Sequence, residues 1–346
     1  MSTPPSPARF KFDPYIGMIL GMVALASVLP CRGDAAVAMG HLTNAVIALL
    51  FFLYGARLSR DAVVAGMTHW RLQLLVFAST FVLFPLFGLG LSWLARDLLA
   101  APLVLGLMFV SMLPSTIQSS IVFTSIGGGN VPAAVCSASL SNLLGIVITP
   151  MLVGLMLSSH GHGFSLHAVE AITRQLFLPF VAGQLLRPWI AGWMQRHRRV
   201  LGLVDRSSIL LVVYTAFSES VVHGLWHQLG IGALLLVLGL DAVLLAAVLV
   251  STTLLSRRLG FARSDEVSIV FCGSKKSLAS GLPMANILFA GRSVGLIVLP
   301  LMLFHQIQLM ACAVLAQRYA RQAAQGAPGS AAMPEPSART ADQGAG

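Results

Sequence analysis

Charge is what this sequence lacks first. Lys, Arg, Asp and Glu make up 10% of its 346 residues, where a soluble domain carries about 25%. With 56% hydrophobic residues and a mean hydropathy of +0.83, a water-soluble globule could not cover its own apolar surface. A polytopic membrane protein is therefore expected. Cysteine is also scarce. Cys31, Cys136, Cys272 and Cys312 form no CxxC or ligand-like spacing, which argues against a disulfide framework or thiolate metal centre and leaves small hydrophobes. His160, His162 and His167 have no carboxylate or thiol at ligand spacing and read as a solvated loop. Acidic residues number 12 against 22 basic ones. The basic residues are dispersed through short loops, so topology explains them better than nucleic acid does. No cleavage-site pattern follows the first apolar run, which argues against a removed signal peptide.

What is present is a repeated pattern of apolar spans. The expected spans are 14–30, 42–58, 72–94, one from 103 to about 126, and 131–157, followed by 168–190, 207–222, 229–255, 267–290 and 294–317. A loop holding Arg32 and Asp34 separates the first two. This gives an all-α polytopic membrane protein of ten transmembrane helices, in two inverted five-helix repeats (14–157 and 168–317), with helices 4 and 9 broken and crossing. Residues 1–13 are read as a cytoplasmic N-terminal segment. The Ala/Gly/Pro/Ser-rich 322–346 is read as a disordered cytoplasmic tail. With the N-terminus inside, 16 of the 22 basic residues fall on inner segments and three on outer loops, Arg32, Arg96 and Arg292. That asymmetry follows the positive-inside rule and places both termini on the cytoplasmic side of the plasma (inner) membrane.

Two stretches depart from the apolar background at corresponding places in the two halves. The first is Pro114-Ser115-Thr116-Ile117-Gln118-Ser119-Ser120 and the second Phe271-Cys272-Gly273-Ser274-Lys275-Lys276-Ser277. A charge at mid-bilayer costs roughly 2.5–3.5 kcal/mol on insertion scales, so the lysine pair is a functional candidate. A helix that stops inside a membrane leaves N–H and C=O groups that protein, water or ligand must satisfy. The candidate substrate- and ion-binding residues are Ser115, Thr116, Gln118, Ser119, Ser120, Asn142, Ser274, Lys275, Lys276 and Ser277. Asp241 joins them as a neutralising or proton-carrying partner for a lysine, and His305 as a lining group of the last span. The competing reading of the serines and glycines at four-residue spacing (Ser111/Ser115/Ser119, Gly273/Ser277/Gly281) is close helix packing.

The ten-span plan, the segments PSTIQSSIVFTSIGGGNVPAAVCSASLSN and FCGSKKSLASGLPMANILF, and the closing LPLMLFHQIQL resemble the bile acid:sodium symporter family, most of all its sodium/bile acid cotransporter 7-like branch. The resemblance covers about residues 10–322. It implies that spans 4 and 9 unwind and cross inside a core of spans 3, 4, 5, 8, 9 and 10. Spans 1, 2, 6 and 7 then form a panel, and substrate binds between panel and core. It also places the family's sodium ligands. The Ser-Asn pair of the fourth span falls on or near Ser119 and Ser120, and the fifth-span hydroxyls fall on Ala134 and Ala138. The shared glutamate falls on Phe271, and the following Met-Gln on Ser274-Lys275.

Losing a carboxylate and gaining ammoniums makes a poor sodium cage. The expected function is a secondary active transporter of a small or amphipathic organic anion by alternating access, not using the usual two sodium sites and either sodium-independent or proton-coupled. Its alternatives are a sodium-coupled bile acid-like symporter and a non-transporting membrane regulator of the same fold. An enzyme is not expected. A Ser274–Lys275 or Ser277–Lys276 hydrolase dyad places its members too close in sequence to face each other. A channel lacks a ring of charges or a filter repeat. No cofactor or metal centre is expected, and the partners are an anionic solute and the lipid bilayer. Oligomeric state, solute identity and stoichiometry are left open.

Overall fold

The computed structural model describes residues 14–57, 69–159, 173–222, 224 and 229–326. Among these there is no strand. The helices, numbered here in chain order, are α1 Pro14–Val28, α2 Gly33–Arg57, α3 Trp70–Ala95, α4 Ala101–Met112, α5 Gln118–Ile126 and α6 Val131–Ser159. A π turn, Thr173–Phe177, precedes α7 Leu178–Arg196, and α8 Arg198–Val222, α9 Ile231–Arg258, α10 Arg263–Gly273, α11 Leu278–Leu288 and α12 Val294–Gly326 follow. Six of the described helices (α2, α3, α6, α8, α9 and α12) are long and apolar enough to cross a membrane, and Gly17–Val28 and α4 are shorter apolar helices. With no water in the hydrocarbon, helices satisfy their own backbone, which is why an apolar chain of this kind folds as helices.

Three boundaries differ from those expected. Gly33 has φ +58, and α2 begins there, so Asp34 lies in the first helical turn rather than in a loop. A carboxylate at that position complements the helix N-terminus. The charged stretch Arg198–Arg206 continues α8 instead of linking two spans, and Asp205 in it bonds Arg57 at 2.5 Å. Residues 322–326, expected as the start of a disordered tail, are the last turn of α12. Two alanines favour helix there, and Gln322 is hydrogen-bonded by Arg263. Residues 1–13, the three-histidine loop and 327–346 lie outside the described residues.

Two sets of helix pairings stand out, and α8 joins them by packing against both α12 and α11. α2 lies along α7, and α1 along α8. Small residues allow the first pairing. A Cβ on Gly55 would run into the Phe180 backbone, and one on Gly183 into the Phe52 backbone, so the two helices touch main chain to main chain. In the other group α12 packs along α4, α3 against α4, and α9 against α10 and α12. Half-exposed arginines bonded to a buried carboxylate pin one end of this group. Glu266, 4% exposed, accepts at Oε1 from Arg263 (2.7 Å), Arg257 (3.1 Å) and the Tyr319 hydroxyl (3.1 Å). Nearby, Asn130 Nδ2 donates to Asp265 at 2.8 Å. These contacts fix where α10 enters the bundle, and hence where it stops.

Candidate binding site at the crossing of two broken helices

α4 stops at Met112. Leu113 is extended (φ −74, ψ 155), as expected for a residue before proline, and Pro114 has no N–H with which to continue the helix. The chain re-enters helix at Gln118. α10 stops at Gly273, and after Ser274, Lys275 and Lys276 the side chain of Ser277 caps α11 by accepting from Ser280 N at 3.2 Å. The two interruptions meet, since Ser277 N donates directly to Pro114 O at 2.8 Å.

The freed backbone groups around the meeting point find protein partners. Met112 O accepts from Thr149 (2.8 Å), Ser115 N donates to Ser141 Oγ (3.0 Å), and Ser115 O accepts from Asn142 Nδ2 (2.5 Å). Asn142 Oδ1 accepts from Ser280 Oγ at 2.8 Å, so one amide ties α6 to both breaks. Ser120 Oγ donates to Phe271 O (3.1 Å), reaching from the first broken segment to the second. Thr116 Oγ1 lies 2.5 Å from Ser119 Oγ and 3.3 Å from Ser120 Oγ, and Ser115 Oγ lies 3.4 Å from Ser120 Oγ. The peptide of Lys276 is satisfied on both sides by Gln308, with Lys276 N to Oε1 at 2.8 Å and Nε2 to Lys276 O at 2.9 Å.

Lys276 is fully buried. Its Nζ donates to Thr80 O (2.8 Å), Ser111 O (2.8 Å) and Leu113 O (2.7 Å) and lies 4.0 Å from the Phe84 ring centroid. An ammonium has three donors, and here each has a carbonyl. Two of those carbonyls are the loose end of α4, whose negative partial charge favours a cation. The third is released by a local defect. Residues Ser79–Leu83 form a π turn in which Phe84 N donates to Ser79 O. The next donor in that register would be residue 85, which is proline, so Thr80 O has no main-chain partner above it and turns to Lys276.

Lys275 is also fully buried but points elsewhere. Its Nζ lies 3.8 Å from the Phe123 ring centroid and 5.5 Å from that of Phe271. It has no hydrogen-bond partner among the described residues. Ring faces attract a cation but do not use its N–H groups.

Of the expected site residues, Ser115, Thr116, Ser119, Ser120, Asn142, Lys275, Lys276 and Ser277 come together at the crossing. Ser274 bonds its own helix at Val270 O (2.6 Å). His305 Nδ1 lies 2.8 Å from Gln308 Nε2 and so joins the cluster at one remove. Gln118, the first residue of α5, is exposed. Asp241 is not paired with a lysine. It is fully buried in α9, and neither carboxylate oxygen has a hydrogen bond among the described residues. The physical reason is that carbonyls freed by the π turn and by α4 lie nearer Lys276, and aromatic faces take Lys275. Sequence reasoning missed Thr149, Ser280 and the Thr80 carbonyl as partners at the crossing. Gln308, with His305 and Gln306, is one of the last-span groups expected to line the core or bond the broken helices, and Ser141 is one of the polar residues of the fifth span. Gln308 was visible as a polar residue one turn from His305 in an apolar span. Pro85 was visible inside span 3, but its effect depends on the π register. Phe271, where the resemblance places a glutamate, packs its ring 6.0 Å from that of Phe123 and 5.9 Å from that of Tyr319.

The model of the SBF-like CPA transporter family matches residues 13–321. The chain belongs to that family. Its members include bile acid:sodium symporter relatives. An uncharacterized protein of Pseudomonas aeruginosa is 58% identical over 315 residues, 91% of this chain and 95% of the relative. YfeH of Escherichia coli is 55% identical over 313 residues, 90% and 94% of the two chains. Sodium/bile acid cotransporter 7 of Mus musculus is 31% identical over 280 residues, 78% and 80%. The family and the apolar helices make this chain an integral membrane protein of a transporter family, and the match takes in both broken helices.

Proposed function

We propose that the chain is a secondary active transporter of a small or amphipathic organic anion, working by alternating access without the sodium sites that the family resemblance implies. In this reading α4/α5 and α10/α11 are single broken spans, the chain has ten spans in two inverted sets with both termini cytoplasmic, and α1, α2, α7 and α8 form the panel. The observation that carries it is the Lys276 ammonium, seated on three carbonyls at the junction of the two breaks. A hard cation wants oxygen ligands and negative charge. Here the oxygen cradle is already filled by a cation tethered to the chain, and the expected carboxylate position is a phenylalanine.

The two lysines then divide the work. Lys276 holds the crossing together. Lys275 keeps a buried positive charge whose N–H groups are unused, and an anionic group or an exchanged proton is what such a charge lacks. Asp241, buried without a hydrogen-bond partner among the described residues, supplies a second proton-exchanging group on α9. The test is uptake of anionic metabolites into proteoliposomes with and without a sodium gradient, in wild type and Lys275→Ala. Uptake that persists without sodium and is lost in Lys275→Ala supports the reading. Strong sodium dependence in the wild type overturns it in favour of the sodium-coupled alternative, which the name of the murine relative favours.

A further inference from the structure

A cavity of about 480 Å³ lies beside α4, and at its inner end Met112 stands between Ser111 and Leu113, whose carbonyls hold Lys276. It runs beside α4, from Ala101 near the start of the helix to Met112 at its end, and α3, α6 and the turn between α11 and α12 complete its wall. None of its lining residues comes from α1, α2, α7 or α8, so it is separate from any groove between the two helix groups. Its interior is mostly apolar, and Phe109 and Phe289 meet there edge to face.

Three polar features break that surface. Ser92 is 3% exposed, lines the cavity and has an Oγ without a hydrogen-bond partner among the described residues. Arg96 and Arg292 stand at the mouth, at the ends of α3 and α12 opposite Arg71 and Arg318. Arg96 leans on the Trp93 ring at 5.2 Å and, among the described residues, has its ion pair with its chain neighbour Asp97, at 3.3 Å. Arg292 is exposed and has no side-chain hydrogen bond or ion pair among the described residues. Trp93 itself is 66% exposed, so the chamber opens sideways.

We infer that this cavity binds a single-chain amphipathic carboxylate, with the chain along α4 and the head group between Arg96 and Arg292. The volume lies in the range of small-molecule pockets and takes one acyl chain. A two-chain phospholipid would leave a chain outside. Guanidinium forks suit a carboxylate by shape and charge. The inference is independent of what the lysine pair does.

Tryptophan quenching tests it. In a variant keeping Trp93 as its sole tryptophan (Trp70, Trp189, Trp193 and Trp226 changed to phenylalanine), the protein is placed in phosphatidylcholine nanodiscs at pH 8. Dibromostearate, dibromo-phosphatidylcholine or dibromo-phosphatidylglycerol is then titrated in. Saturable quenching by dibromostearate at a mole fraction well below that for the brominated phosphatidylcholine is expected. Arg292→Gln should raise the half-saturating fraction by up to about fivefold, the upper end for an exposed ion pair. Ser92→Leu, which fills the chamber without opening a hole, should remove the saturable component. Equal quenching by stearate and phosphatidylcholine, or no change in Arg292→Gln, overturns the proposal. Quenching by brominated phosphatidylglycerol at the same or a lower fraction than stearate overturns it too, by assigning the cavity to a bilayer lipid.

Discussion

Replacing Lys276 by methionine keeps the side chain's length and removes its charge. Thr80 O, Ser111 O and Leu113 O would each lose a donor in a place with no exposure. A buried acceptor left unsatisfied costs about 1–3 kcal/mol. Three of them sum to roughly 3–9 kcal/mol before relaxation, and relief by water or repacking brings this near the 3–5 kcal/mol typical of a broken buried charge pair. Against a total of about 5–15 kcal/mol, that is a large loss, and the purified variant should melt well below wild type. Lys276→Ala makes the sharper experiment, because it leaves the three carbonyls around an emptied space. A small cation binding only the folded state then restores stability as RT ln(1 + [L]/Kd), about 2.7 kcal/mol at a hundredfold excess over Kd. Thermal unfolding in detergent with sodium, potassium, ethylammonium or choline chloride at equal ionic strength reads this out. Rescue by ethylammonium or sodium but not choline is expected in Lys276→Ala, with no ion preference in wild type. A Lys276→Met protein as stable as wild type would refute the reasoning, and so would the same ion preference in wild type.

Lys275→Met strands no acceptor, because its ammonium makes no hydrogen bond among the described residues. Its melting temperature should equal or exceed that of wild type while uptake in proteoliposomes falls, the reverse balance from Lys276→Met. Gln308→Leu exposes both sides of the Lys276 peptide to an apolar neighbour, and at about 1–3 kcal/mol per lost partner it should cost roughly 2–6 kcal/mol in chemical or thermal unfolding. Pro85→Ala gives Thr80 O a main-chain donor. Stability should change by only about 1 kcal/mol, one ordinary hydrogen bond, but cation rescue of Lys276→Ala should weaken when the two changes are combined.

Much of this arrangement was legible from residue types. Pro114 and the Gly273–Ser277 run mark where α4 and α10 must stop, because one lacks an N–H and the other lacks helix-favouring side chains and carries charge. The polar residues at those places are candidates for that reason, and the structure brings most of them together. What stayed hidden depended on register and on long-range closure. The sequence offers Asp241, within a span, as a neutralising or proton-carrying partner for either lysine. The structure supplies main-chain oxygens instead, and main-chain oxygens carry no sequence signature. Helix ends were misjudged for a related reason. Apolar periodicity marks where lipid ends, whereas α8 and α12 run past that point on helix propensity and polar contacts.

The separation of the two lysines follows from the backbone between them. On a helix, residues 275 and 276 would project about 100° apart and share one neighbourhood. Ser274–Lys276 is not helical, so successive side chains can leave on opposite sides, as on an extended strand. One ammonium thus reaches α3 and α4, and the other reaches the aromatic pair on α5 and α10. A break that merely opened the helix for a ligand would need no charge at all. A break that holds its own cation in the gap gains a closed hydrogen-bond account without any ion from solution, and its neighbour is left free to meet charge that arrives from outside. With Lys276 committed to three carbonyls, Lys275 is, among the described residues, the ammonium at the crossing without a hydrogen bond, and under the proposed function loss of uptake without loss of stability is the signature expected of Lys275→Met.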